Sequence, residues 1–204
     1  MKVLITNPEV DAFTRYLHCW TKQLIKNLRN NVEVFHLEEG KANRIRFEGM
    51  LKKNVVDVVL LNGHGDYDFV LGNYEKILDK ENVALLKGKT VHAMSCSSAK
   101  ELGVLAVQSG AKAYLGYDEP FLAPRMKDKV SNPLKDGTAK LFLDPAFITQ
   151  KALLNGKAPG EAVESAHKEY DRSIVKALRS PIQSDNDKFV GLLLWDKEHL
   201  VAVE

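Results

Sequence analysis

Val58-Val59-Leu60-Leu61-Asn62-Gly63-His64-Gly65-Asp66 decides the fold. It begins as an unbroken apolar, β-branched run, the pattern of a strand covered on both faces by helices. It ends in a histidine between two glycines, residues that let a backbone approach a ligand closely. A second stretch repeats the design: Thr90-Val91-His92-Ala93-Met94-Ser95-Cys96-Ser97-Ser98 is an apolar strand delivering a cysteine at its carboxyl end.

Outward from these two stretches, short apolar runs alternate with amphipathic ones. Lys2–Thr6 reads as a buried first strand closed by Asn7-Pro8. Asp11 is placed to cap a helix on which Phe13, Tyr16, Leu17, Trp20, Leu24 and Leu28 recur at three- and four-residue steps. Val32–Leu37 alternates as a strand, Lys41–Lys53 reads as a helix, and Val55–Leu61 is the central strand. Thr90–Ser95, a helix over Ser98–Ser109 closed by Gly110, and a strand over Ala111–Tyr117 follow. The βαβα order predicts a mostly parallel sheet with helices on both faces, whose ligands bind outside the carboxyl ends of the strands.

The regular pattern fails between Asp118 and Thr138, a lysine-rich segment holding Pro120, Pro124, Pro133 and Gly137. Long irregular segments in domains are functional or mobile, so a solvated loop, a lid or a self-cleavage site is expected there. Helices resume over Thr138–Leu154, with a kink or break at Pro145, and over Gly160–Leu178. Phe189–Trp195 and Leu200–Val203 read as a closing hairpin across Asp196-Lys197-Glu198. No repeat or linker divides the 204 residues, so one domain spanning 1–204 is expected.

Composition narrows the function. With 29 Lys+Arg against 27 Asp+Glu, net charge +2, nothing argues for nucleic acid or a membrane surface as partner. The apolar runs are too short for a membrane span, and the start of the chain is too polar for a signal peptide, which reads as cytoplasmic. Two cysteines, Cys19 and Cys96, make neither a disulfide framework nor a cysteine-based zinc site. No metal-ligand spacing, phosphate loop or dinucleotide fingerprint occurs, so no metal or organic cofactor is expected. Cys19, beside Trp20, reads as packing, with neighbouring His18 exposed; His92, inside a strand, reads as a satisfied core histidine. Taken singly, His64 fits a turn and Cys96 fits a small buried hydrophobe. Together, on adjacent strand ends, they make a base and a thiol that needs one. The Gly65 and Cys96 amides would then receive the oxyanion.

A strand ending in His-Gly followed by a strand ending in a small residue and cysteine resembles the caspase-like cysteine peptidases, a group that includes gingipains, separases, clostripain and CHAT domains. Met94-Ser95-Cys96-Ser97-Ser98 is similar to the separase nucleophile segment, and Gly110-Ala111-Lys112-Ala113-Tyr114-Leu115-Gly116 to the strand after it. Leu153-Leu154-Asn155-Gly156-Lys157-Ala158-Pro159-Gly160-Glu161-Ala162 resembles a helix–loop–helix of CHAT domains. The caspase signature Gln-Ala-Cys-x-Gly is not met, and histidine and cysteine lie 96 − 64 = 32 residues apart rather than about 50. The likeness is therefore to the gingipain and separase side. It implies a caspase-like three-layer α/β fold and an endopeptidase with His64 and Cys96 as its dyad. Its substrate would be a protein or peptide, with Asp118 or the rival Glu119 binding a basic P1 side chain. Oligomeric state stays open. The alternatives are an inactive binding or assembly module of the same fold and a flavodoxin-like binding protein.

Overall fold

The computed structural model describes residues 1–179 and 186–204. Six strands form one sheet: β1 (Lys2–Asn7), β2 (Glu33–Glu38), β3 (Val58–Asn62), β7 (Thr90–Met94), β8 (Ala113–Tyr117) and β9 (Leu200–Val203). Their order is β2-β1-β3-β7-β8-β9. All pairings are parallel except that of β9, which runs antiparallel to β8. The expected α/β sheet is thus present.

Alternation along the strands explains the layers. Val3 and Ile5 of β1, with Val58 and Leu60 of β3, face one side and pack near Leu24 and Leu28. Leu4, Val59 and Leu61 face the other. On the first side lie α1 (Ala12–Lys26), α4 (Gly137–Leu154) and α5 (Pro159–Leu178), around Tyr16, Leu17, Phe142, Ala146 and Tyr170. Leu193 of α6 (Asn186–His199) joins the same cluster. On the second side lie α2 (Arg44–Lys53) and α3 (Leu102–Gln108), through Phe47, Leu51, Leu102 and Ala106.

That second side also carries a small antiparallel sheet of β4 (Gly65–Asp66), β5 (Phe69–Leu71) and β6 (Lys76–Asp79). Val70, Ile77 and Leu78 seat it in the core. Arg44 clamps it to α2 with a two-pronged contact to Asp79 (2.6 and 3.1 Å) and further bonds to Glu48 and Glu81. Burial alone would raise the Asp79 carboxyl, but Arg44 and the Glu81 amide outweigh it and hold it below its ordinary value. β4 begins at the residue after His64, so this clamp bears on the site.

Four expectations are corrected. The C-terminal hairpin does not form: Asn186–His199 is a helix, and β9 enters the sheet alone against β8. Leu193 is buried while Leu194 and Trp195 are exposed, a helical rather than an alternating pattern. The central strand begins at Val58, since Val55 is largely exposed. α4 continues through Pro145 without a break, because Phe142, Leu143, Ala146 and Phe147 on either side are buried in its packing face. His18 is buried, not exposed.

A chain of buried polar contacts joins α4, β3 and α1. Gln150 Nε2 donates to Asn62 Oδ1 (2.6 Å), Asn62 Nδ2 to Thr21 Oγ1 (3.3 Å), and the Thr21 hydroxyl to Leu17 O (2.8 Å). Asn62 is the last residue of β3, so the chain fixes the point from which Gly63 and His64 depart. Gln150→Leu removes the donor and strands the Asn62 oxygen. It is expected to lower stability by about 1–3 kcal/mol in urea unfolding, the cost of a buried acceptor left without a partner. An unchanged midpoint would show that this contact does not hold the strand end.

Candidate active site at the carboxyl ends of the strands

The chain leaves β1 toward β2 on one side and returns as β3 on the other, so a crevice opens between the carboxyl ends of β1 and β3. Asp11 follows β1 and His64 follows β3. Across the crevice His64 Nε2 meets Asp11 Oδ2 at 2.6 Å. The other carboxylate oxygen accepts the Thr14 amide at 2.9 Å as the N-cap of α1, and the Thr14 hydroxyl accepts the Asp11 amide at 3.0 Å. One side chain therefore starts a helix and orients a histidine. Burial pushes the Asp11 carboxyl up, but the Thr14 and His64 contacts outweigh it, so it sits below its ordinary value and stays ionised. With Nε2 bonded to Asp11, Nδ1 is the ring nitrogen left for a substrate or a thiol.

The sheet register brings Cys96 to the same rim. Asn62 of β3 pairs with Met94 of β7, and Gly63 N–H donates to Met94 O at 3.2 Å. His64 and Cys96 each stand two residues beyond that pair. The two glycines allow the close approach. A Cβ on Gly65 would sit 2.8 Å from Ser95 Cβ, and one on Gly63 would sit 2.5 Å from Leu71 O.

The Cys96 turn is held from several directions. Ser97 adopts φ +56°, a left-handed conformation costly for a non-glycine residue and one that sharpens the turn at the cysteine. Ser97 N–H donates to Glu119 O (3.2 Å) and Ala99 N–H to Tyr117 O (3.0 Å), tying the turn to the exit of β8. Ser95 and Ser98 share a 2.7 Å hydroxyl contact, and Tyr114 OH donates to Ser98 Oγ at 3.0 Å. The Cys96 thiol lies 3.9 Å from Phe121 O. Phe121 packs at a tilt against Tyr117 and Phe13, and Phe13 against His64 (centroids 5.3 Å apart), so an aromatic wall links the histidine to the cysteine's neighbour. Burial pushes the Cys96 thiol above its ordinary pKa, with the Asp196 and Asp66 carboxyls adding to the effect. The thiol is therefore a neutral group at rest, not a standing thiolate.

Of the two proposed oxyanion donors, Gly65 lies opposite Val70 in β5, and Leu71 N–H donates to His64 O beside it (2.8 Å). That bond makes Gly65–Val70 a non-hydrogen-bonded pair, which leaves the Gly65 amide unused by β5. Among the described residues the Cys96 amide donates to no other residue's backbone carbonyl outside the regular elements.

The two acidic residues expected to bind a basic side chain already have partners. Asp118 Oδ1 meets His199 Nδ1 at 2.7 Å, and Glu119 Oε1 meets Lys100 Nζ at 2.6 Å. Their loop is strapped to α6 and its end: Asp118 N–H donates to His199 O, Leu122 N–H to Asp196 Oδ1 (2.8 Å) and Trp195 Nε1 to Pro120 O (2.9 Å). The irregular segment that follows is anchored too. Buried Asp136 accepts from Tyr16 OH and the Met126 amide while capping α4. Arg125 and Lys127 are exposed, as expected.

Sequence reasoning missed Asp196. It is fully buried, its Oδ2 has no partner, and burial raises its carboxyl to about 8 despite the Leu122 amide. Its position in an assumed turn concealed it; a helical reading of 186–199 puts it one turn above Leu200 at the sheet edge. His92 is buried as expected but not satisfied: both ring nitrogens lack protein partners, and burial lowers its pKa to about 3. Cys19 is half-buried, its thiol also raised by burial.

A groove of about 530 Å³ lies elsewhere, between Trp20, Leu24 and Leu28 of α1 and Phe147, Ile148 and Leu154 of α4. Leu154 packs against Val3 and Val58, which begin their strands, so the groove opens at the amino end of the sheet. Among the described residues no helix is long and apolar enough to cross a membrane. Set against known proteins, the sequence matches no family model and no curated protein.

The raised Asp196 carboxyl gives a pH signature. Its folded pKa lies above the unfolded value, so the folded state binds the extra proton between about pH 4 and pH 8 and stability falls as pH rises through that window. Asp196→Asn is expected to flatten the decline, stabilising the protein more at pH 8 than at pH 5. Urea midpoints across that range read it directly; parallel curves for the two proteins would place the carboxyl's titration elsewhere.

Proposed function

We propose that the chain is a caspase-like cysteine endopeptidase with Cys96 as nucleophile and His64 as general acid and base. One observation carries the reading: the β3–β7 register sets His64 and Cys96 at equivalent positions on one rim, with His64 held by an ionised carboxylate. His64 Nδ1 accepts the Cys96 proton as sulfur attacks the scissile carbonyl carbon. The new C–S bond shifts the carbonyl electrons onto oxygen, where the Gly65 and Cys96 amides receive them. The intermediate collapses, the C–N bond breaks, and the imidazolium donates its proton to the departing amine. Water, deprotonated by His64, then hydrolyses the thioester and restores the thiol. Asp11 keeps the ring oriented and stabilises the imidazolium.

The neutral thiol fits a nucleophile that passes its proton to His64 in the course of the attack itself. A basic P1 preference belongs to the same reading, and a P1 cation would have to compete with His199 for Asp118 or with Lys100 for Glu119. A reducing, cytoplasmic setting keeps Cys96 unoxidised on this reading. The burial that disfavours the Cys96 thiolate also favours a second reading, a binding or assembly module of the same fold.

A peptide-library cleavage scan separates them. Wild type is expected to cleave, Cys96→Ala to lose all turnover with an unchanged unfolding midpoint, and Cys19→Ala to retain it. Asp11→Asn is expected to lower kcat by up to about 10⁴-fold, the scale of the loss when the aspartate that orients a catalytic histidine becomes asparagine. Turnover surviving in Cys96→Ala would end the peptidase reading. A folded wild type that cleaves nothing, with Cys96 no more reactive than Cys19 toward electrophilic peptides, would favour the binding module.

A further inference from the structure

The opposite flank of β1 carries a second cluster that the proposed chemistry does not use. Glu9 lies two residues past β1, Glu39 directly follows β2, and His18 projects from the second turn of α1. One potential ligand atom from each lies within 4.8 Å of the other two. His18 is only 4% exposed, and among the described residues its Nε2 makes no hydrogen bond and stands 3.7 Å from Glu9 Oε2. Its Nδ1 shares a 3.2 Å contact with the side-chain amide of fully buried Asn7, whose Oδ1 otherwise has no partner. Arg15 takes the other Glu9 oxygen, Oε1, at 3.7 Å, leaving Oε2 facing the histidine. Glu39 is exposed and among the described residues has no ion pair.

We propose that Glu9, His18 and Glu39 form a binding site for a divalent cation of the zinc class. The donor set, one imidazole nitrogen and two carboxylates, suits that class better than calcium or magnesium, which take oxygen ligands. The buried imidazole is the fixed ligand. With the Asn7 amide turned so that Oδ1 accepts from Nδ1–H, Nε2 presents its lone pair to the cluster, the second-sphere support that metal-bound histidines receive. The carboxylates supply the movement. Ligand atoms at about 2.1 Å from one tetrahedral ion lie about 3.4 Å apart, so from separations of up to 4.8 Å the two glutamates close in by up to about 1.4 Å. Remaining positions face solvent and take water. A bound ion would join the β1–α1 turn to the end of β2, on the far side of the same turn that carries Asp11.

Equilibrium dialysis against zinc chloride tests this with the full chain in three forms: wild type, Cys96→Ala, and Cys96→Ala carrying Glu39→Gln. The Cys96→Ala background removes zinc held by the thiol. Glu39→Gln alters an exposed side chain, so the fold is retained and circular dichroism checks it. One zinc per chain is expected to survive Cys96→Ala, and adding Glu39→Gln is expected to weaken its affinity at least tenfold. No retained zinc in Cys96→Ala, or equal affinity with and without Glu39→Gln, would overturn the site.

Discussion

The Asp11 carboxylate does two jobs that geometry makes inseparable. An N-cap must sit at the first turn of its helix, and here that turn opens at the β1–β3 crevice, where the returning strand delivers His64. The side chain that satisfies the orphan amide of α1 is thereby aimed at the imidazole. Changing the start of α1 would release the histidine, and moving β3 would leave a helix cap with an unanswered charge. The Gln150–Asn62–Thr21 chain holds β3 to α1 and α4, and the Arg44 clamp holds the hairpin sheet that follows His64. Both support this one contact from outside the crevice.

Strand ends are where the sequence was most readable. The Val58–Asp66 and Thr90–Ser98 stretches are apolar runs that stop abruptly at small and polar residues, and covered parallel strands leave that signature because both faces are buried. Asp11 was legible as a cap but not as a partner of His64, since nothing in spacing joins residues 53 positions apart. β4–β6 were missed because strands of two to four residues are too short for a period to show. The C-terminal hairpin failed for a related reason: Phe189–Trp195 is apolar nearly throughout, and an apolar run without alternation suits a helix against a core as well as a strand. The Glu9–His18–Glu39 cluster lay outside any ligand motif because its members come from two loops and a helix brought together only by the β1–β2 pairing.

The thiol and the carboxyl beneath it are coupled by burial. Asp196 is largely protonated below pH 8, and in that form it adds little charge against a Cys96 thiolate; ionised, it opposes one. Its Oδ1 also holds the Leu122 amide, whose neighbour Phe121 contacts the thiol through its carbonyl. The strapped loop 118–122 therefore joins α6 to the cysteine through hydrogen bonds. Asp118 and Glu119 belong to that strap, each with a basic side chain in contact.

Buried polar groups in folded proteins are almost always hydrogen-bonded. Asp196 stands against that rule, with one oxygen lacking a partner and a raised pKa near a candidate nucleophile. His92 stands against it too, but at mid-strand, two residues inside the carboxyl end of β7. Folds tolerate such violations where function compensates: His92 lies on β7, which leads to Cys96, and Asp196 lies on α6, bonded to the loop after β8. At the amino end of the same sheet Val3, Val58 and Leu154 form an apolar cluster. Apolar packing gathers Val3, Val58 and Leu154 at one end of the sheet, and the buried carboxyl of Asp196 holds the loop that touches Cys96 at the other.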